Sequence, residues 1–205
     1  MAERTRQINR VRWHLHEIDP TIEPASRSLH TKKHQRRVLE HLNNNNDSVI
    51  ARLSVELIES IAALTSRINE LKAELEDLTA SIAPNLTSVH GVGVITAAKL
   101  IGEVAGIERF KSKDAFARYN GTAPLPVWSS NKIRHRLSRV GNRQVNSAIH
   151  RIALTQARNH PEAQALLNRR TDNGNTKKEA MRVLKRRLSD VVYRAMLKDA
   201  TLNNP

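Results

Sequence analysis

Leu57-Ile-Glu-Ser-Ile61-Ala-Ala-Leu64-Thr-Ser-Arg67-Ile68-Asn-Glu-Leu71-Lys72-Ala-Glu74-Leu75-Glu-Asp-Leu78-Thr-Ala-Ser-Ile82 is the stretch on which the fold class turns. Leu57, Ile61, Leu64, Ile68, Leu71, Leu75, Leu78 and Ile82 step by four and three without an error. That spacing keeps one apolar seam on one side of a helix, with Ile61, Ile68, Leu75 and Ile82 at one core position and Leu57, Leu64, Leu71 and Leu78 at the other. A long helix packed on its own domain would satisfy it. Three unbroken heptads favour a coiled coil, and β-branched Ile beside Leu suits two strands. An antiparallel pair can set Arg67 near Glu74, whereas a parallel pair sets Arg67 near Lys72, which repels. Pro84 closes the helix.

The charge balance changes at the same place. Residues 1–83 hold 12 Lys and Arg against 12 Asp and Glu, whereas residues 84–205 hold 22 against 8 and so carry the whole net charge of +14. The domain boundary is therefore drawn there, with a helical and coiled-coil segment over 1–83 and a basic domain over 84–205. Between Asp114 and Glu162 there is no acidic residue, while Arg118, Lys132, Arg134, Arg136, Arg139, Arg143, Arg151 and Arg158 fall in that gap. A merely solvated surface mixes both signs. An acid-free stretch of this length suits a surface that neutralises phosphates and releases counterions, so DNA is the expected partner.

Upstream of the seam, Ile8, Val11, Leu15 and Ile18 recur at helical steps until Pro20 and Pro24 end the pattern. Residues 26–42 form a weaker, basic helix candidate that Asn43 to Asn46 are expected to break. The N-terminus lacks the apolar core of a signal peptide, and no apolar run reaches the ~20 residues of a membrane span. A soluble, cytoplasmic protein with no membrane contact is the default. With no cysteine, disulfides and thiolate metal sites are excluded.

Downstream, Val89-His-Gly91-Val-Gly93-Val-Ile-Thr-Ala97-Ala-Lys99-Leu100-Ile101 fits a helix-hairpin-helix. Gly91 and Gly93 would permit a tight turn, backbone amides at the next helix start could hold a DNA phosphate, and Ala97 would let two helices approach. An ordinary glycine turn between packed helices is the competing explanation. Ser112 is expected to cap a short helix over 112–119, and 120–136, with Pro124 and Pro126, reads as a loop. Helices follow from about Asn142 to Arg158 (Val145, Ile149, Ile152 and Gln156 on one stripe) and after Pro161. A last one starts at Thr176, which with Glu179 makes a capping box. It should bury Ala180, Val183, Leu184, Leu188 and Val191 and expose Lys177, Lys178, Arg182, Lys185, Arg186 and Arg187. No strand pattern stands out. The expected class is all-α, a long coiled-coil helix followed by a compact helical domain.

The histidines are scattered without a third ligand at useful spacing, and acids are not clustered, so no metal site is expected. One candidate nucleophile remains in the 120–136 loop. Ser129 and Ser130 follow Trp128 and precede Arg134, His135 and Arg136. A serine hydroxyl can attack a phosphodiester if arginines stabilise the transferring group. A turn serine bonded to its own backbone is the simpler explanation of these residues on their own.

Taken as an ordered set, further stretches carry a resemblance. They are Arg4 to Pro20, His90-Gly-Val-Gly93 leading into Gly102-Glu-Val, Arg109-Phe110, Tyr119-Asn-Gly121-Thr-Ala-Pro124, Trp128-Ser129, Arg136-Leu-Ser-Arg139-Val-Gly141-Asn142-Arg143-Gln144, and Lys177 to Leu188. In this order they resemble the IS-one-ten group of insertion-sequence transposases, the bridge-RNA-guided recombinases, over nearly the whole chain. The resemblance implies an N-terminal RuvC-like domain with a DEDD metal-binding tetrad, a coiled coil, and a transposase domain whose catalytic serine falls at Ser129. It also implies homo-oligomers, joined here through the coiled coil, that act on DNA with a structured non-coding RNA.

The chain departs from that pattern in two ways. It begins where the RuvC-like domain would be ending, so the tetrad positions are expected to be missing, and no cofactor is expected within the chain itself. Ser130 stands where the family has glycine after the serine. The resemblance therefore predicts a DNA-binding transposase fragment with Ser129 as intended nucleophile. Gly91, Gly93, Lys99, Lys132, Arg134, Arg136, Arg139, Arg143, Lys185 and Arg186 are its expected DNA contacts. The alternatives are a non-enzymatic helix-hairpin-helix DNA-binding protein, an inhibitor of full-length transposase, and an RNA-binding accessory factor.

Overall fold

The computed structural model describes residues 1–25, 27–45, 48–129, 132–136 and 140–203. The chain divides into two compact units, Met1–Ala73 and Glu74–Pro205, and the architecture is all-α apart from one two-stranded ribbon.

In the first unit, α1 (Ala2–Ile18) and α2 (Lys32–Asn45) are followed by α3 (Val49–Ile82), whose last residues belong to the second unit. The expected stripe of α1 is the buried one: Ile8, Val11 and Leu15 join Leu29, Val38, Leu42, Ala51, Ile58 and Ile61 in a core of their own. Asp19 stops α1 by turning its side chain to the amide of Thr21 at 2.8 Å, opening a single 3-10 turn over Pro20–Ile22. The asparagines expected to break α2 instead continue it to Asn45. Their weak helix preference is overridden once Val38 and Leu42 are anchored in the core.

The heptad stretch lies within one helix, α3, of 34 residues. Only Ile61 of the seam is fully buried, whereas Leu71, Leu78 and Ile82 are 41%, 59% and 43% exposed. Arg67 pairs with Glu70 along the same helix at 3.1 Å.

The second unit contains α4 (Pro84–Thr87), α5 (Val94–Val104), α6 (Lys113–Tyr119), β1 (Leu125–Ser129), β2 (Lys132–Arg136), α7 (Arg143–Asn159), α8 (Pro161–Asp172) and α9 (Lys177–Asn203). Helix α9 packs against α4, α6, α7 and α8, and α5 packs chiefly on α7. Leu86, Leu100, Val104, Phe116, Ile149 and Ile152 lie at the centre of the core. The predicted stripe of α7 is buried throughout, Gln156 included. On α9 the buried apolar residues are Ala180, Leu184, Leu188, Val192, Ala195 and Met196, with Ser189 and Asp199 buried beside them, whereas the expected Val183 and Val191 are only half-buried. The stripe thus passes through Val192 rather than Val191, because Ala180, Leu184, Leu188 and Val192 follow one another in steps of four on one side of the helix.

The predicted caps form. Ser112 accepts from the amide of Ala115 at 3.2 Å. Glu179 accepts from the Thr176 amide at 2.8 Å, and the Thr176 hydroxyl accepts from the Glu179 amide at 3.3 Å. One cap has no signal near it in sequence: Asp199, at the far end of α9, accepts from the amides of Asn85 and Leu86 at 2.8 and 2.9 Å and so closes the start of α4.

The segment expected to be a loop over 120–136 contains the ribbon. β1 and β2 run antiparallel with Leu125 opposite Arg136, Val127 opposite Arg134 and Ser129 opposite Lys132. Pro126 and the charged residues of β2 disguise it in sequence. A ribbon of two strands has two outer edges, where proline and charge are both tolerated.

Candidate nucleic-acid interface

The ribbon stands on a polar base built from four helices. On the entering side, Tyr119 ends α6 and Asn120 follows it fully buried. Asn120 donates to Ser189 of α9 at 2.8 Å, and its Oδ1 accepts from the Thr122 hydroxyl at 2.6 Å. On the returning side, Asn142 donates its backbone amide to the Tyr119 carbonyl at 2.7 Å. Its side-chain oxygen accepts from the amides of Gln144 and Val145, capping α7. Its side-chain nitrogen reaches Glu103 of α5 at 2.8 Å and the Tyr119 hydroxyl at 3.0 Å. Asn146, one turn into α7, donates to the Asn120 carbonyl at 2.6 Å. Both feet of the ribbon are therefore tied together and to α5, α7 and α9.

Gly141 makes this closure possible. Its φ of +146° is one that side-chain-bearing residues rarely adopt, and a Cβ there would lie 2.8 Å from the Tyr119 carbonyl oxygen and 2.9 Å from the Gly121 nitrogen.

Ser129 is the last residue of β1, with Lys132, Arg134 and Arg136 spaced two apart along β2. Ser130 and Arg139 lie outside the described residues. Arg143 is exposed in the first turn of α7. Lys185 is half-buried, and its ammonium donates to Asn146 Oδ1 at 2.7 Å. Arg186, next to it, is held between Asp114 and Asp190.

The glycine motif lies some distance along the chain from the ribbon's base. Gly91 has a φ of +87° and packs where a Cβ would sit 3.2 Å from the Ile152 carbonyl. Gly93 is the N-cap of α5, with open space where its side chain would be. The helix before this turn, α4, is a single turn, and Ala97 is buried in a helix whose main partner is α7. Lys99 lies partly buried on α5.

Residues 83–168, which span α4 to α8 and include the whole ribbon, match the model of the transposase IS116/IS110/IS902 family. Over these residues the chain belongs to the IS116/IS110/IS902 transposase family. It is similar to the insertion element IS110 uncharacterized 43.6 kDa protein of Streptomyces coelicolor, 32% identical over 148 residues that cover 71% of this chain and 36% of that one. It is also similar to the insertion element IS900 uncharacterized 42 kDa protein of Mycobacterium paratuberculosis, 29% identical over 163 residues, 77% of this chain and 39% of the relative. The chain thus spans well under half the length of these relatives.

Within the transposase-family region, sequence reasoning singled out Ser129 and the cations as candidates and did not single out the asparagines that hold the ribbon. Asn142 carried a signal, since an Asn before a helical stripe is a favoured cap. Asn120 and Asn146 carried none, because their partners are 69 and 26 residues away. Among the described residues no group of three His, Asp or Glu is placed to hold a metal ion, and no helix is long and apolar enough to cross a membrane.

Proposed function

We propose that this chain is a DNA-handling module of an insertion-sequence transposase, with Ser129 as nucleophile and the β2 cations as phosphate contacts. The observation that carries the reading is the position of Ser129 in a ribbon whose two feet are tied by Asn120 and Asn142, inside the region matched to the transposase family. A nucleophile on an anchored arm is presented at a defined place, which lowers the entropy cost of attack. The Ser129 oxygen would form a bond to phosphorus as the bond to the departing strand breaks. The Ser129 hydroxyl would lose its proton as the departing oxygen takes one up, so the step is proton-neutral, and Arg134 and Arg136 would stabilise charge on the phosphoryl oxygens.

The divalent metal that the family resemblance implies finds no ligand cluster among the described residues. The steps given to this chain are therefore those of its own serine and cations. Gly91, Gly93, Lys99, Lys132, Arg139 and Arg143 are assigned to the DNA backbone, in a cytoplasmic setting and with a structured RNA as a further partner. The exposed seam residues Leu71, Leu78 and Ile82 on α3 support pairing of this helix with that of a second copy.

The deciding experiment incubates the chain with labelled element-end DNA, with and without a full-length relative and its RNA, and looks for a covalent protein–DNA adduct. An adduct formed by the natural chain and lost in Ser129→Ala supports the serine chemistry. Salt-sensitive binding without an adduct leaves a non-enzymatic DNA-binding protein or an inhibitor of full-length transposase.

A further inference from the structure

Lys185 and Arg186 are sequence neighbours on α9 that receive opposite treatment. Arg186 has two carboxylates, Asp114 and Asp190. Lys185 is half-buried and, among the described residues, has the neutral Asn146 amide as its hydrogen-bond partner, although removing a charge from water is costly unless it is paired. The charged group that acts on Lys185 is another cation, Arg182. Arg182 lies one turn earlier on α9 and acts on Lys185, and Lys185 in turn acts on His150, one turn beyond Asn146 on α7. Among the described residues none of these three forms an ion pair with an acid. Burial and then Arg182 depress the Lys185 pKa, and burial and then Lys185 depress that of His150. Helix α9 has thus gathered two like charges, facing an imidazole kept neutral on α7, next to a site where the same helix neutralises its cation twice over. Such an arrangement is expected where an anion completes the site.

We propose that Arg182, Lys185 and His150 form a clasp for one phosphate of the DNA backbone, with Asn146 holding the Lys185 ammonium in place. Asn146 also donates to the Asn120 carbonyl at the foot of the ribbon. The clasp therefore sets where a strand lies relative to the arm that carries Ser129. It serves the transposase reading given above, and it rests on that reading for its choice of DNA. Arg182 and His150 are exposed and open to a ligand, and Lys185 is half-buried beside them.

The test is equilibrium binding of the full chain to a 20-base-pair duplex across a salt series, comparing Lys185→Met and Arg182→Ala with Lys198→Met, an exposed lysine at the other end of α9. Each phosphate contact adds about 0.9 to the slope of log affinity against log salt. Lys185→Met should lower that slope by about one and weaken binding about ten-fold, while raising the melting temperature because it relieves the repulsion. Arg182→Ala should weaken binding in the same direction, and Lys198→Met should change it less than about two-fold.

Unchanged affinity and slope in Lys185→Met and Arg182→Ala, with normal binding by the natural chain, would overturn the clasp and leave the transposase reading standing. Absence of salt-dependent DNA binding by the natural chain would sink both. A loss seen only with an RNA duplex of the same length would overturn the assignment to DNA.

Discussion

Asn142 and Tyr119 meet twice at the base of the ribbon: the Asn142 amide donates to the Tyr119 carbonyl at 2.7 Å, and the Asn142 side chain donates to the Tyr119 hydroxyl at 3.0 Å. Since the same Asn142 oxygen caps α7 through two amides, one residue both starts a helix and closes the ribbon's feet. Removing an asparagine cap costs about 1 kcal/mol, and stranding a buried partner costs about 1–3 kcal/mol more. Asn142→Ala should therefore destabilise the chain by about 2–4 kcal/mol in thermal unfolding followed by circular dichroism. Asn142→Ser, which can still cap, should recover roughly 1 kcal/mol of that loss. Equal melting temperatures for the two variants would show that the bridge, not the cap, carries the energy.

The three functionally placed glycines should separate by conformation. Gly141→Ala forces a Cβ against the Tyr119 carbonyl oxygen and the Gly121 nitrogen, both backbone atoms that cannot swing aside. Strain of this kind costs on the order of 1–3 kcal/mol, and a marked loss of stability is expected. Gly91→Ala should cost about 1 kcal/mol through its positive φ. Gly93→Ala has open space and an ordinary φ, so it loses only part of a cap preference, under about 1 kcal/mol. A fall in DNA affinity in Gly93→Val, with the fold intact, would then report on the α5 amides rather than on folding.

Asp199 is 4% exposed, and its oxygens accept from the Asn85 and Leu86 amides and from the Asn85 side chain. Hydrogen bonds to a charged group contribute about 1.5–3 kcal/mol each at most, and they are not additive. Asp199→Ala should cost about 3 kcal/mol, read from the midpoint of urea unfolding at unchanged slope. A midpoint within error of the natural chain would mean that α4 is held by Leu86 packing alone.

His150 gives stability a dependence on pH. Its pKa is depressed, first by burial and then by Lys185, so the unfolded chain binds its proton more readily than the folded one. The stability that comes from keeping this imidazole neutral is fully present above its ordinary value of 6.5. It is lost as pH falls from 6.5 through the lower folded-state value, and the loss is then complete. His150→Gln should flatten that part of the stability curve. Lys185→Met should flatten it only partly, because burial, the larger cause, remains. A natural chain whose stability does not change between neutral pH and pH 5, after correction by the Gln variant, would contradict the depressed value.

The helices were legible in the sequence because an apolar stripe at helical spacing must be buried whatever it packs against. The stripe Ile8, Val11 and Leu15 and the stripe Val145, Ile149 and Ile152 need no knowledge of partners. The caps at Ser112 and Thr176 were legible for the same reason, since both ends of each hydrogen bond lie within one turn. Motif order carried the family, and the location of the positive charge followed from counting. What tertiary structure alone decided was long-range polar pairing: Asp199 closing α4, Asn120 reaching Ser189, and acids gathered on Arg186 but withheld from Lys185. Apolar burial is non-directional and leaves a periodic trace along the chain. A hydrogen bond or ion pair depends on angle and distance between groups far apart in sequence, and single residues such as Asn120 or Lys185 bear no mark of their partners.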